Sequence, residues 1–240
     1  MPFTFSHPAI VLPLGWLSKR WFSLTALVMG SMMPDFEAFL WMKSEKDHSH
    51  TWLGILYFSL PVGLLLAFVF HNIIRNVLID HMPRPLQQRL VAFKNFNWNQ
   101  RFKQNWPVVL ISILIGAASH FLWDSFSHFH GFFIKSIPAL QNNIILLGYS
   151  LEIPFFIQYL NSVIGLVVLA WVIWRLPADR EAKLNQAIGK YWLKVVVVML
   201  GIYTIRLVTL DATTPDDLVI AGFASFLYSL CFTSWMSLKK

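Results

Sequence analysis

Residues 105–128 read NWPVVLISILIGAASHFLWDSFSH, an apolar run that closes on His120, Asp124 and His128. The run approaches the ~20 residues needed to cross ~30 Å of hydrocarbon. Its last third carries ligand-type side chains at i, i+4 and i+8, which a helix stacks on one face. Imidazole and carboxylate are costly in hydrocarbon, so their appearance there is a functional-site signal. A shared metal ion satisfies several of them together.

Working outward, apolar runs recur at about 21–42, 51–74, 153–174, 191–210 and 217–238, giving six membrane segments with the run at 105–127. Residues 8–18 form a shorter stretch, predicted to be a partial or re-entrant helix. With 56% hydrophobic and 13% charged residues, such runs argue against a soluble helical domain. The fold class expected is all-α: a polytopic integral membrane helical bundle, one membrane domain over residues 1–240. The polar stretch 78–104, with Pro83 and Pro85, is expected as a cytoplasmic loop or surface helix rather than a domain. The single Cys231 can form no internal disulfide. With no basic leader region or cleavage site, the N-terminus is expected to belong to the mature fold.

The formal charge of +7 would suggest nucleic acid in a soluble protein. Here the basic residues cluster between apolar runs, the positive-inside pattern, and nucleic acid is excluded as a partner. Arg75, Arg84, Arg89, Lys94, Arg101 and Lys103 fill one connection; Arg175, Arg180, Lys183, Lys190 and Lys194 fill another. The chain ends Lys239-Lys240, while Lys135 with Glu152, and then Asp211, Asp216 and Asp217, lie in the alternate connections. This predicts a cytoplasmic C-terminus, with residues 43–50 and 128–152 on the external side of the membrane.

Helical rise then sets depth. From Asn105, His120 lies about 22 Å up and Asp124 about 28 Å, with His128 at the external edge. From Arg20, Asp35 reaches the height of His120, and from Lys19 backwards His7 lies about 18 Å up if residues 8–18 form a hairpin with the next segment. His48 and His50 sit at the external entry to the second segment and are equal candidates. The expected metal set is therefore His7, Asp35, His48, His50, His120, Asp124 and His128. Pro34 disfavours helix at Met33, so Asp35 is alternatively read at a helix break. Glu37 would then become a possible general base, but would point elsewhere if the helix continues. Arg206 lies about 18–24 Å above its cytoplasmic end and is expected to pair with Asp211, to snorkel to the external headgroups, or to meet a substrate phosphate. Glu152 is read as ligand, base or surface charge. His130 is expected to be interfacial, and His71, Asp80 and His81 solvated or lipid-facing.

Several motifs resemble a known family: the opening Met1-Pro2-Phe3-Thr4-Phe5-Ser6-His7-Pro8-Ala9, the Gly30-Ser31-Met32-Met33-Pro34-Asp35 turn, His48-Ser49-His50, and the Ser-His-x-x-x-Asp-Ser-x-x-His run. They are similar to an uncharacterised bacterial inner-membrane family, domain of unknown function 4184, over roughly residues 1–130. That family is akin to the YdjM-type membrane-bound metal-dependent hydrolases, which in turn resemble zinc-dependent phospholipase C. The resemblance implies His7, Asp35, His120 and Asp124 as leading ligands, with a 48–50 histidine and His128 next.

The function expected is metal-dependent hydrolysis of a phosphate ester of a lipid, a phospholipid or polyprenyl phosphate, near the external leaflet. Six or seven N and O ligands exceed one tetrahedral zinc, so two divalent ions are expected. Asp124 or Glu37 would be the general base and Arg206 the phosphate-facing cation. Two rival classes are a metal-stabilised scaffold or complex subunit and a metal-ion transporter. A transporter should carry polar residues through the full depth, whereas the cytoplasmic halves here are nearly all aliphatic or aromatic.

Overall fold

The computed structural model describes residues 3–17, 20–45, 48–129, 131–146, 148–182, 188–209 and 214–238. His130, Asp211, Lys183 and Lys239-Lys240 lie outside the described residues.

A short α1 (Pro8–Trp16) precedes α2 (Leu24–Trp41). A long helix α3 (Trp52–Asp80) follows, interrupted by π-helical turns at Ile55–Ser59 and Phe70–Ile74. Next come α4 (Arg84–Leu90), α5 (Trp98–Asp124) and α6 (Phe132–Ser136). Strands β1 (Asn143–Leu146) and β2 (Tyr149–Glu152) pair antiparallel as a hairpin. Helices α7 (Ile153–Arg175), α8 (Ile188–Thr209) and α9 (Pro215–Leu238) complete the chain.

Among the described residues, five helices, α3, α5, α7, α8 and α9, are long and apolar enough to cross a membrane. α2, at 18 residues and with Asp35 and Glu37 in its second half, is not among them. Tyr159, Val163, Val167, Trp171 and Trp174 form an exposed stripe along α7, a pattern that water would penalise and lipid accepts. The chain is an all-α polytopic membrane bundle. α1 has nine residues, about 13 Å of rise and too short to cross. Pro8 starts it at the first helical position, where a missing N–H costs nothing.

Pro34 does not end α2. The helix continues to Trp41, although the ring removes one intrahelical hydrogen bond. The alternative of a break at Met33 is thereby corrected.

The chain packs as two compact units. One comprises Met1–Pro34, Thr51–Leu64 and Asn105–Val172; the other comprises Asp35–His50, Leu65–Gln104 and Ile173–Lys240. In the first, α2 and α5 touch backbone to backbone. A Cβ on Gly30 would stand 2.1 Å from the Ile113 carbonyl oxygen, and one on Gly116 would stand 2.3 Å from that of Leu27. Small residues permit such close crossings in membranes. The predicted N-terminal hairpin also forms: Gly15 of α1 packs on Leu24 at the start of α2.

In the second unit, Val77, Tyr191, Val195 and Leu230 make a small core. His71 is not solvated there: it is buried, bonded to Arg75 at 2.8 Å and stacked on Trp98. His81 stacks on Tyr191, and Asp80 pairs with Lys94 at 2.6 Å. These groups anchor the polar connection after α3. They are architecture.

Candidate metal centre

In the first unit the glycine crossing determines where His120 lies. One turn beyond Gly116, its Nδ1 meets the Ser31 carbonyl oxygen at 2.8 Å, and the ring is fully buried. A carbonyl only accepts, so Nδ1 carries the proton and Nε2 is left facing inward. Four residues on, Asp124 presents its carboxylate: Nε2 of His120 lies 3.2 Å from Oδ2. His7 reaches the other carboxylate oxygen, with Nε2 3.7 Å from Oδ1, and its ring stacks on that of His120 at 4.0 Å. His128 approaches Oδ2 through Nδ1 at 3.7 Å. α5 itself ends at Asp124, so His128 stands in the following turn, whose N–H still donates to the Asp124 carbonyl at 3.0 Å.

His7 is carried by the 3-10 turn Thr4–Ser6, just ahead of Pro8. That turn is pinned to α7. The Phe3 N–H donates to Ser162 Oγ at 2.8 Å, and a Cβ on Gly165 would come within 2.7 Å of Ser6.

In the second unit, Asp35 is buried and faces His50, with Nε2 3.6 Å from Oδ1. The two loop histidines now separate. His48 is exposed, while its backbone N–H donates to Glu37 Oε2 at 3.1 Å. Ser49 N–H donates to the same oxygen at 2.7 Å. Because α2 continues through Pro34, Glu37 lacks the break that would have made it a base, and its carboxylate holds the loop. Thr51 then caps α3, its hydroxyl accepting from Gly54 N–H at 2.8 Å.

Arg206 is buried, and its Nη2 donates to the Met42 carbonyl at 2.9 Å. Its Nε and Nη1 make no hydrogen bond among the described residues, and Asp211, its expected acidic partner, lies outside them. Glu152 is an exposed residue of the hairpin.

Buried His and Asp groups of this kind could hold a metal ion. The ligand atoms of His7 and His120 lie within 4.8 Å of each other, as do those of His120 and Asp124. The donors are imidazole nitrogen and carboxylate oxygen, a set that suits borderline divalent cations. A backbone carbonyl that accepts from a histidine's other ring nitrogen is a usual outer support of a ligating imidazole.

Sequence reasoning missed Ser31 as the support of His120, the Gly30–Gly116 crossing, and Ser162 with Gly165. Glycines inside apolar runs were the available signal for the crossing. The family described as Domain of unknown function (DUF4184) matches residues 1–235, well beyond the roughly 130 residues whose motifs carried the resemblance. No curated protein and no solved structure matches the chain. With the match running through all the membrane helices, this chain belongs to the DUF4184 family.

Proposed function

We propose that this protein is a membrane-embedded, metal-dependent hydrolase acting on a phosphate ester of a lipid at the external leaflet of a bacterial inner membrane. The observation that carries the reading is the pair His120–Asp124. Nδ1 of His120 is committed to the Ser31 carbonyl, and Nε2 faces a carboxylate oxygen at 3.2 Å in a buried setting. A neutral imidazole would there point a lone pair at an anion. A cation shared by the two groups relieves that opposition.

His7, His120 and Asp124 form the centre of the set, with His128 at its edge. Asp35 and His50, which face one another in the second unit, are the further proposed ligands. His48 would serve through its backbone only. A divalent ion such as zinc, when bound, would acidify a water and offset charge on phosphoryl oxygens. The chain's own part is to hold the imidazoles neutral and oriented. Asp124, where not ligating, takes a proton from the attacking water. An aromatic and aliphatic surround excludes bulk solvent and strengthens these interactions. The kinship to YdjM-type hydrolases and the external position belong to this proposal.

The test is metal analysis of protein purified without chelator, followed by assay of phosphate or headgroup release from phospholipid and polyprenyl phosphate in nanodiscs. Metal with turnover supports the hydrolase. Metal that no substrate or small chelator can reach would instead indicate a structural site.

A further inference from the structure

The loop joining α2 to α3 carries His48 and His50, and both of its ends are held within the second unit. α2 closes in a Schellman-type turn, with Lys43 N–H donating to the Ala38 carbonyl at 3.0 Å. Met42 sits at the left-handed position of that turn, with φ 55°. Glycine is the ordinary occupant there, and a side chain is disfavoured. Three side chains from the last two helices grip this stretch. Arg206 Nη2 donates to the Met42 carbonyl at 2.9 Å, and the Tyr228 hydroxyl donates to the Leu40 carbonyl at 3.1 Å. Asp217 Oδ1 accepts from both the N–H and the hydroxyl of Ser44, each at 2.8 Å. At the far end Glu37 takes the His48 and Ser49 N–H groups, and His50 then faces Asp35 at 3.6 Å.

We infer that α8 and α9 form a clamp that positions His50 against Asp35. Arg206, Asp217 and Tyr228 are positioning residues acting through the Leu40–Ser44 backbone. This assignment rests on the metal-site reading above for its functional consequence, but the clamp itself does not. The carbonyls at the end of α2 have no helical partners of their own. Arg206 and Tyr228 supply donors to two exposed-end carbonyls, and Asp217 fixes the next residue. A strained Met42 is thereby kept in the conformation that turns the chain back toward α3. On this assignment Arg206 acts on the Met42 carbonyl rather than on a substrate.

The experiment uses the full chain in nanodiscs, with two readouts: amide exchange of residues 42–45 and 48–50, and zinc affinity by chelator competition. In Arg206→Leu, exchange across the loop should accelerate and zinc affinity should fall roughly tenfold or more, as for outer supports of metal ligands. Arg206→Lys should restore most of both, since an ammonium can still donate to one carbonyl. Adding Met42→Gly to Arg206→Leu should also restore them, because glycine takes φ near 55° without a side-chain penalty. Unchanged loop exchange in Arg206→Leu would overturn the clamp. Should wild-type protein take up no zinc, the metal reading fails, while the exchange readout still decides the clamp. If Arg206→Leu does not fold, Asp217→Asn and Tyr228→Phe carry the same test; normal loop exchange in both counts against the clamp.

Discussion

The imidazole of His7 lies against that of His120, with ring centroids 4.0 Å apart, planes 20° from parallel and both rings fully buried. Two imidazolium ions at that separation in a low-dielectric interior would repel strongly. That repulsion disfavours a second proton on both rings at once, and a ring that keeps its lone pair is the form that binds metal. Both Nε2 atoms turn toward Asp124, at 3.7 and 3.2 Å. A single proton shared among the three groups would balance the carboxylate, whereas a shared divalent cation would leave one positive charge for a further anionic ligand, and the two cases separate by experiment.

If a cation is shared, His120→Ala and Asp124→Ala should each lower metal affinity by roughly 100-fold or more, beyond what outer supports cost. His81→Ala is the control. Its ring stacks on Tyr191 and its Nδ1 meets the Val77 carbonyl at 2.7 Å. It should keep full occupancy when bound metal is measured by elemental analysis. Equal loss in His81→Ala would mean that the centre lies elsewhere.

The glycine crossing makes a second prediction. A methyl at Gly30 or Gly116 would meet backbone at 2.1 and 2.3 Å, so helices must part. Gly30→Ala and Gly116→Ala should each destabilise by about 2 kcal/mol or more. Parting also moves His120 from Ser31, so metal affinity should drop with stability. Gly201→Ala, whose Cβ meets nothing within 4 Å, should be neutral or stabilise by up to about 1 kcal/mol. Thermal unfolding in detergent with and without zinc reads all three. A Gly116→Ala variant as stable as wild type would remove the close crossing.

The helical course of the chain was legible because length and hydropathy alone decide a membrane span. The register of His120 and Asp124 was legible too, since i and i+4 meet on any helix. Pro34 misled toward a break, because its local penalty is absorbed by the rest of an 18-residue helix. His48 and His50 could not be told apart from spacing. The distinction comes from Glu37, which draws the His48 and Ser49 backbone toward itself and leaves His50 for Asp35. The hold of α7 on the His7 turn rests on one serine hydroxyl and one missing Cβ, at Ser162 and Gly165. Neither residue type announces itself in an apolar helix.

Glu37 separates loop support from chemistry. Glu37→Gln keeps a carbonyl oxygen able to accept from Ser49 N–H, so fold and metal content should be retained. Glu37→Ala leaves the His48 and Ser49 N–H groups without that acceptor and should cost about 2–3 kcal/mol, the range for hydrogen bonds to a charged group. Metal affinity should fall with it as the loop loosens. If Glu37→Gln keeps metal and stability but abolishes turnover, Glu37 is a base after all.

The last prediction concerns sidedness, on which the external placement of the site depends. In the orientation proposed above from loop charge, Arg84, Arg89, Lys94, Arg101 and Lys103 would lie on the cytoplasmic side and residues 131–152 outside. Single cysteines at the exposed positions Glu45, Ala139 and Asn95 report this directly, in a background where Cys231 is serine. Glu45→Cys and Ala139→Cys should react with a membrane-impermeant maleimide on intact cells, and Asn95→Cys only after permeabilisation. α2 and α3 bound the segment carrying Glu45, so its labelling also tests whether α2 reaches the external face despite Asp35 and Glu37. Labelling of Asn95→Cys alone would invert the protein. The centre would then face the cytoplasm, and its substrate would have to be sought among phosphate esters on that side.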